Sequence, residues 1–148
     1  DWHLKIAGNG SQDEGLTRVA KWGIQNNVEF LGWVKGEEKD RVFRLASIFC
    51  LPSYAEGFPM AVLDAWAYGI PVVTTPVGGI PDVVVNNENG LLFNPGDAET
   101  LSVQLCRLIE DDNLYQRLKK EASNLAATTF NIETFAGQIR DMYNDLTR

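Results

Sequence analysis

The sequence contains little cysteine and histidine and no long apolar run, and each shortage excludes a class of protein. Two cysteines, Cys50 and Cys106, and one histidine, His3, occur among 148 residues. The cysteines are too few for a disulfide-dense scaffold and have no metal-ligand spacing, so we interpret them as structural thiols that suit a reducing compartment. The sequence has no stretch of 18 apolar residues, which argues against a transmembrane helix.

Basic residues are also scarce. The sequence has 13 Lys and Arg against 20 Asp and Glu, which gives a formal net charge of −7. Because no cluster of positive charge is present to neutralise phosphates, we expect no nucleic-acid partner. The length fits one domain with a sizeable core.

Short apolar runs alternate with segments of helical periodicity through the first two thirds of the sequence. Strands are predicted at residues 3–8, 28–33, 47–52, 70–75 and 90–94, and helices after Ser11 and at residues 37–46, about 58–68 and 80–84. Ser11 and Glu14 are expected to form a capping box. The run at 47–52 is apolar throughout, as in a strand covered on both faces.

After Pro95 the pattern becomes purely helical, with three successive apolar stripes at helical spacing. Alternation of strands and helices with short connections is typical of a parallel sheet. The sequence therefore predicts an α/β fold with a doubly wound, Rossmann-like parallel sheet of about five strands and carboxy-terminal helices.

Ligands of such sheets bind at the carboxyl ends of the strands, where loops lead into helices. The first unusual loop is "AGNGS", in which Gly8 and Gly10 permit a tight turn and leave room for a ligand. An ordinary strand-to-helix turn explains this loop equally well.

The second unusual loop, "SYAEGFPMAVLD", carries two carboxylates. Glu56 follows a strand, where it can accept hydrogen bonds from sugar hydroxyls, and Asp64 lies one to two turns into the next helix, within reach of a ribose diol. The alternative interpretation of each is a solvated surface acid.

The same loop leads into a helix that is expected to begin near Pro59, after Gly57. The free amides at this end, around Met60 and Ala61, would favour a phosphate because of their partial positive charge. Proline is tolerated at the first helical position since its missing amide has no helical partner.

A third loop, "TPVGGIPD", contains the paired glycines Gly78 and Gly79. The pair indicates another loop in which the backbone can approach a ligand closely, although a simple connection is the alternative. Together the three loops suggest a site for a sugar nucleotide.

The run "PSYAEGFPMAVLDAWAYGIPVVTTPVGGIPDVVVNNENGLLFNPGDAETL" resembles the donor-binding half of the retaining GT-B glycosyltransferases. This group includes glycogen and sucrose synthases and bacterial lipopolysaccharide and mannosyl transferases. The likeness extends over nearly the whole chain, through "LKIAGNG", "VEFLGWV" and "NGLLFNPGD". It implies that residues 1–148 are a nucleotide-sugar-binding domain.

The resemblance assigns roles to particular positions. The family has two glutamates separated by seven residues, and these positions fall on Glu56, which would contact the donor hexose at the catalytic centre, and Asp64, which would bind the ribose. Asp64 is one methylene shorter than the family's usual glutamate. The other donor-binding positions implied are Gly8, Gly10, Trp33, Val34, Lys35, Gly57, Phe58, Pro59, Met60, Ala61, Gly78 and Gly79.

The sequence departs from the family pattern at its start. Family members begin this domain with a strand that ends in Gly-Arg, followed by Lys-Gly, and these basic residues neutralise the diphosphate. We expect the chain to lack this first strand and the amino-terminal acceptor domain, to be inactive alone, and to self-associate through strand edges that need partners.

The resemblance implies that the full-length parent moves a hexose from a nucleoside diphosphate sugar to a glycan or lipid acceptor bound by the missing domain, without a metal or another cofactor. It also implies a cytoplasmic location, or a peripheral one at the inner face of the membrane. Two alternatives remain open. One is a nucleotide-sugar epimerase of the same fold, which the Glu-Gly-Phe loop disfavours; the other is a non-catalytic binding module, which a parent without the basic pair would favour.

Overall fold

A computed structural model describes residues 2–146 of the protein as two compact units, the first ending at residue 42 and the second beginning at residue 43. The helices and strands near the amino terminus are β1 (Leu4–Ala7), α1 (Gln12–Lys21), β2 (Val28–Gly32) and α2 (Gly36–Leu45). β1 and β2 are parallel. Lys5 faces Glu29 across them, and the hydrogen bond from the Lys5 ammonium, with its positive charge, lowers the pKa of the Glu29 carboxyl.

The second unit contains three parallel strands in the order β3-β4-β5. Its helices and strands are β3 (Phe49–Leu51), α3 (Met60–Ala67), β4 (Val72–Thr74), a single 3₁₀ turn (Ile80–Asp82), β5 (Leu91–Leu92), α4 (Ala98–Glu110), α5 (Asp112–Thr128) and α6 (Ile132–Leu146). This arrangement confirms the predicted α/β fold with parallel strands and carboxy-terminal helices.

The core of the second unit lies on both faces of β4. Val72 belongs to a buried cluster with Trp66 of α3 and Ala122 of α5, whereas Val73 belongs to a second cluster with Leu108 and Leu118. Successive residues of a strand point to opposite faces, so both faces of this sheet are covered. This packing on both faces agrees with the doubly wound sheet that the sequence predicts.

The expected single sheet of about five strands is divided into two among residues 2–146. β1 pairs with β2, and β3 pairs with β4, but no strand of the described residues joins these sheets. β3 is therefore the outer strand of its sheet, and its residues are half-buried, not covered on both faces as expected.

Two local predictions were wrong. Ser11 directly precedes α1, but its side chain makes no capping hydrogen bond. The Glu14 carboxylate, which would complete a capping box, instead accepts from the Arg18 guanidinium at 2.6 Å, one turn further along the helix. The helix begins near Pro59 as predicted, but its first residue is Met60, so Pro59 does not occupy the first helical position.

The last helix, α6, has no buried residue. Its exposed apolar side chains recur at helical spacing and include Ile132, Phe135, Ile139, Met142 and Leu146. No helix within residues 2–146 combines the length and the apolar character that a membrane crossing requires.

Candidate active site

Glu56 lies in the loop between β3 and α3, where a hydrogen bond orients its half-buried side chain. The Ser53 hydroxyl donates to Glu56 Oε1 at 2.5 Å. A hydroxyl that donates to a carboxylate forms one of the shorter and stronger classes of hydrogen bond. The carboxylate is thus held at the carboxyl edge of the sheet of the second unit, where ligands of such sheets bind.

Two threonines at the end of β4 connect it to the segment that contains Ser53. Thr75 Oγ1 donates to the Ser53 carbonyl oxygen at 2.6 Å, and Thr74 Oγ1 donates to the Leu51 carbonyl oxygen at 2.9 Å. Both threonines are completely buried. Sequence reasoning missed Ser53 and Thr75, although hydroxyl residues just after two neighbouring strands are a signal that would have indicated them.

The double-glycine loop packs against the backbone that carries Glu56. Gly78 has a φ of +56°, and a Cβ at this position would lie 1.9 Å from the Glu56 carbonyl oxygen. The Gly79 amide donates to the Gly57 carbonyl oxygen at 2.9 Å. The close approach predicted for the paired glycines is therefore an approach to the protein's own chain.

At the start of α3, the Met60 amide is not free, contrary to the prediction. The Met60 amide donates to the Phe58 carbonyl oxygen at 2.8 Å, so it is not available for a phosphate in this conformation. Pro59, with φ −80° and ψ 65°, has the torsion angles of an inverse γ-turn, which forms a hydrogen bond between residues two apart. Binding of sugar and diphosphate oxygens by the amides of Phe58 and Ala61 remains a prediction.

Asp64 belongs to the same unit as Glu56, and its half-buried side chain lies in the second turn of α3. Phe58 and Met60 at the start of the helix are exposed, whereas Pro59 between them is fully buried. The second unit thus places Glu56, Asp64, the paired glycines and the beginning of α3 within one sheet and its loops. Their roles towards a donor remain predictions.

The remaining candidate residues belong to the first unit. Gly8 has a φ of +150°, which other residues rarely adopt, and its amide donates to the Gly32 carbonyl oxygen at 2.7 Å. A Cβ on Gly8 or Gly10 would meet no atom within 4 Å. The loop with both glycines borders a cleft of about 270 Å³ that Ser11 and Phe30 also line. Binding of a donor beside this loop remains a prediction.

The expected base-binding segment follows β2. The side chains of Trp33 and Lys35 are exposed, and Val34 between them is half-buried. The structure thus presents an indole and an ammonium group on the surface of the first unit. Their contact with a nucleotide base remains a prediction.

Neither of the two cysteines is a candidate site residue. Burial raises the pKa of the Cys50 thiol in β3 to about 11, as expected for a structural thiol, and Cys106 is exposed on α4. Across residues 2–146 there is no group of three His, Cys, Asp or Glu side chains suited to a metal ion.

Comparison with known proteins matches the chain to one family. Residues 1–125 match the family described as "Glycosyl transferases group 1". The chain is 33% identical over 135 residues to an uncharacterised glycosyltransferase of Haemophilus influenzae, covering 90% of this chain and 37% of that protein. It is 31% identical over 137 residues to D-inositol 3-phosphate glycosyltransferase of Corynebacterium glutamicum, covering 93% of this chain and 32% of that enzyme.

Solved structures show the same fold. Sucrose-phosphate synthase of Thermosynechococcus elongatus superimposes with a TM-score of 0.82 at 28% identity, over 98% of this chain and 38% of that one. The chain spans about a third of the length of the two curated relatives named above.

Proposed function

Because the chain belongs to the glycosyl transferases of group 1 and has the fold of a GT-B carboxy-terminal domain, we propose that it is the donor-binding half of a retaining glycosyltransferase. The full-length protein would move a hexose from a nucleoside diphosphate sugar to a glycan or lipid acceptor. The family is enzymatic. The donor, the acceptor and the retention of configuration are proposed here.

The observation that carries the proposal is the fixed carboxylate of Glu56. The loop that holds it is restrained by Ser53 on the side-chain oxygen and by Gly78 against the main chain. Such restraint suits a group that orients a sugar, because catalysis gains most from groups that are already positioned before the reaction.

Each candidate residue receives a role in this proposal. Glu56 contacts the donor hexose, and Asp64 binds the ribose hydroxyls. The backbone amides of Phe58 and Ala61 at the start of α3 bind oxygens of the sugar and the diphosphate, where the helix end favours negative charge. In the first unit, Gly8 and Gly10 leave space beside the nucleotide, and the segment 33–35 receives the base.

The proposed reaction is a front-face displacement without a metal. The acceptor oxygen forms a bond to the anomeric carbon while the bond from that carbon to the diphosphate breaks, and the acceptor proton passes to the departing phosphate oxygen. Attack and departure on one face retain the configuration. Glu56 positions the sugar in this scheme and is not a nucleophile.

We propose that the acceptor binds to a part of the protein outside this sequence, since the curated relatives are about three times as long. That part would also contribute the strand that completes the donor domain and the basic groups that neutralise the diphosphate. The 148-residue chain alone would then be inactive and would self-associate, because the outer edge of β3 has no strand partner within residues 2–146 and the apolar side chains of α6 are exposed. A cytoplasmic location, or a peripheral one at the inner face of the membrane, fits such an enzyme.

Kinetics of two variants of the full-length protein test the proposal. Glu56→Gln is expected to lower turnover severely, because the amide no longer orients the hexose as the carboxylate does. Asp64→Ala is expected to weaken donor affinity by about 1–3 kcal/mol through loss of a charged hydrogen bond, with a smaller effect on turnover. The matched control Asp64→Glu, which installs the family's usual residue, should keep donor affinity. Near-wild-type kinetics in both variants would contradict the proposal.

A further inference from the structure

We propose that Ser53 and Thr75 are positioning residues that fix the Glu56 carboxylate for the donor sugar. The inference rests on the role proposed above for Glu56. It adds two hydroxyl groups from neighbouring strand ends, neither of which is expected to touch the substrate.

The contacts form a continuous chain from the core to the carboxylate. The buried Thr75 hydroxyl donates to the carbonyl oxygen of Ser53 at 2.6 Å, which fixes the backbone from which the Ser53 side chain projects. The Ser53 hydroxyl then donates to Glu56 Oε1 at 2.5 Å. A buried hydroxyl without its acceptor is costly, so the first contact is strongly maintained.

The backbone of Glu56 is restrained independently. Gly78 lies against the Glu56 carbonyl oxygen, and the Gly79 amide donates to the next carbonyl oxygen along the chain, that of Gly57. With the main chain fixed in this way, the remaining freedom of Glu56 lies in its side-chain torsions. The Ser53 hydroxyl restricts those torsions by holding one carboxylate oxygen, and we assign the other oxygen, Oε2, to the sugar.

This arrangement preorganises the site. A carboxylate that is already oriented needs no ordering when the donor binds, and small misplacements of such groups lower rates by up to about a hundredfold. Ser53 and Thr75 are therefore expected to affect turnover more than donor affinity. A purely structural role would instead lower stability without a selective effect on turnover.

The threonine pair offers a matched test. Thr74 and Thr75 are adjacent and fully buried, and each donates to a carbonyl oxygen of the chain near β3, but only Thr75 bonds to Ser53. In the full-length protein, Thr74→Val and Thr75→Val should lower the Tm similarly. Only Thr75→Val should lower kcat, by about tenfold, with the donor KM changed less than about threefold.

Serine substitutions test the last contact. Ser53→Ala should lower kcat by about 10- to 100-fold, and Ser53→Thr, which keeps a hydroxyl, should restore most of it. In a Glu56→Gln background, Ser53→Ala should have little further effect, because residues that act as one unit are not additive. Turnover is measured as nucleoside diphosphate released from UDP-glucose, GDP-mannose and ADP-glucose.

The outcomes separate this inference from the proposed function. Loss of turnover in Glu56→Gln together with wild-type kcat in Ser53→Ala and Thr75→Val overturns the inference alone. Wild-type turnover in Glu56→Gln overturns both. If a variant releases too little product to measure, crystal structures decide: the Glu56 carboxylate should be displaced in Ser53→Ala and unmoved in Thr74→Val, and an unmoved carboxylate in Ser53→Ala contradicts the inference.

Discussion

The Glu56 carbonyl oxygen occupies the space that a Cβ of Gly78 would need, since the two positions lie 1.9 Å apart. Gly78 also has a φ of +56°, in the left-handed region. Two independent requirements, backbone conformation and space, therefore select glycine here. Through this contact, the loop after β4 holds the loop after β3 that carries the candidate catalytic carboxylate.

Gly78→Ala is predicted to destabilise the protein and displace the Glu56 loop. The left-handed backbone alone costs a non-glycine residue about 1–2 kcal/mol, and the contact with a main-chain atom adds to that cost. The free energy of unfolding, measured by urea titration, should fall accordingly. Gly137→Ala in α6 is the control: a Cβ there meets nothing within 4 Å, so the change should leave stability equal or raise it by about 0.5–1 kcal/mol. Equal stability of Gly78→Ala and wild type would contradict this reading.

Trp66 presents a buried donor without an acceptor. Its side chain is fully buried, and its indole Nε1 has no hydrogen-bond partner within the described residues. Trp66→Phe removes this unsatisfied group, which offsets lost packing, so the free energy of unfolding should fall by less than about 1.5 kcal/mol. Trp66→Ala leaves a large cavity and should cost about 3–5 kcal/mol. Comparable losses in the two variants, measured by denaturant unfolding, would indicate that the indole N–H makes a stabilising contact.

Asp97 provides a pH-dependent contribution to stability. It precedes α4 and accepts hydrogen bonds from the Thr100 amide at 2.9 Å and the Thr100 hydroxyl at 2.7 Å, and these bonds lower the pKa of its carboxyl below the ordinary 3.8. Because the pKa is lower when folded, this stabilisation is fully present above pH 3.8 and disappears as the pH falls through the folded value. The Tm of Asp97→Ala should therefore lie below that of wild type at neutral pH, and the difference should shrink below pH 3.8. A pH-independent difference would refute the assignment.

The apolar face of α6 and the outer strand edges predict self-association of the isolated 148-residue chain. Light scattering over a broad concentration range should show oligomers. Phe135→Glu, which places a charge in the apolar stripe, should reduce association, whereas Gln138→Glu adds the same charge to an exposed position outside the stripe and should not. A strict monomer at all concentrations would exclude the association.

The α/β class could be predicted from the sequence because the strand and helix patterns are local, whereas the division of the described strands into two sheets could not, because strand pairing joins distant segments. The apolar run around Val72 and Val73 predicts a strand, and β4 lies there with these residues in two separate buried clusters. The coverage on both faces that was predicted for residues 47–52 is not found, because β3 is the outer strand of its sheet. The site was only partly predictable. Its acidic and glycine positions follow from motifs, but the contact of Gly78 with Glu56 joins loops distant in sequence. The loss of the Met60 amide depends on the ψ of Pro59, which composition does not determine.

Calorimetric titration of the full-length protein with UDP-, GDP- and ADP-sugars tests the central claim most directly. We expect one nucleotide class to bind measurably, with affinity weakened in Asp64→Ala and kept in Asp64→Glu. Binding of none of these nucleotide sugars, or equal binding by Asp64→Ala and wild type, would contradict the account of this domain as the donor-binding half of a glycosyltransferase.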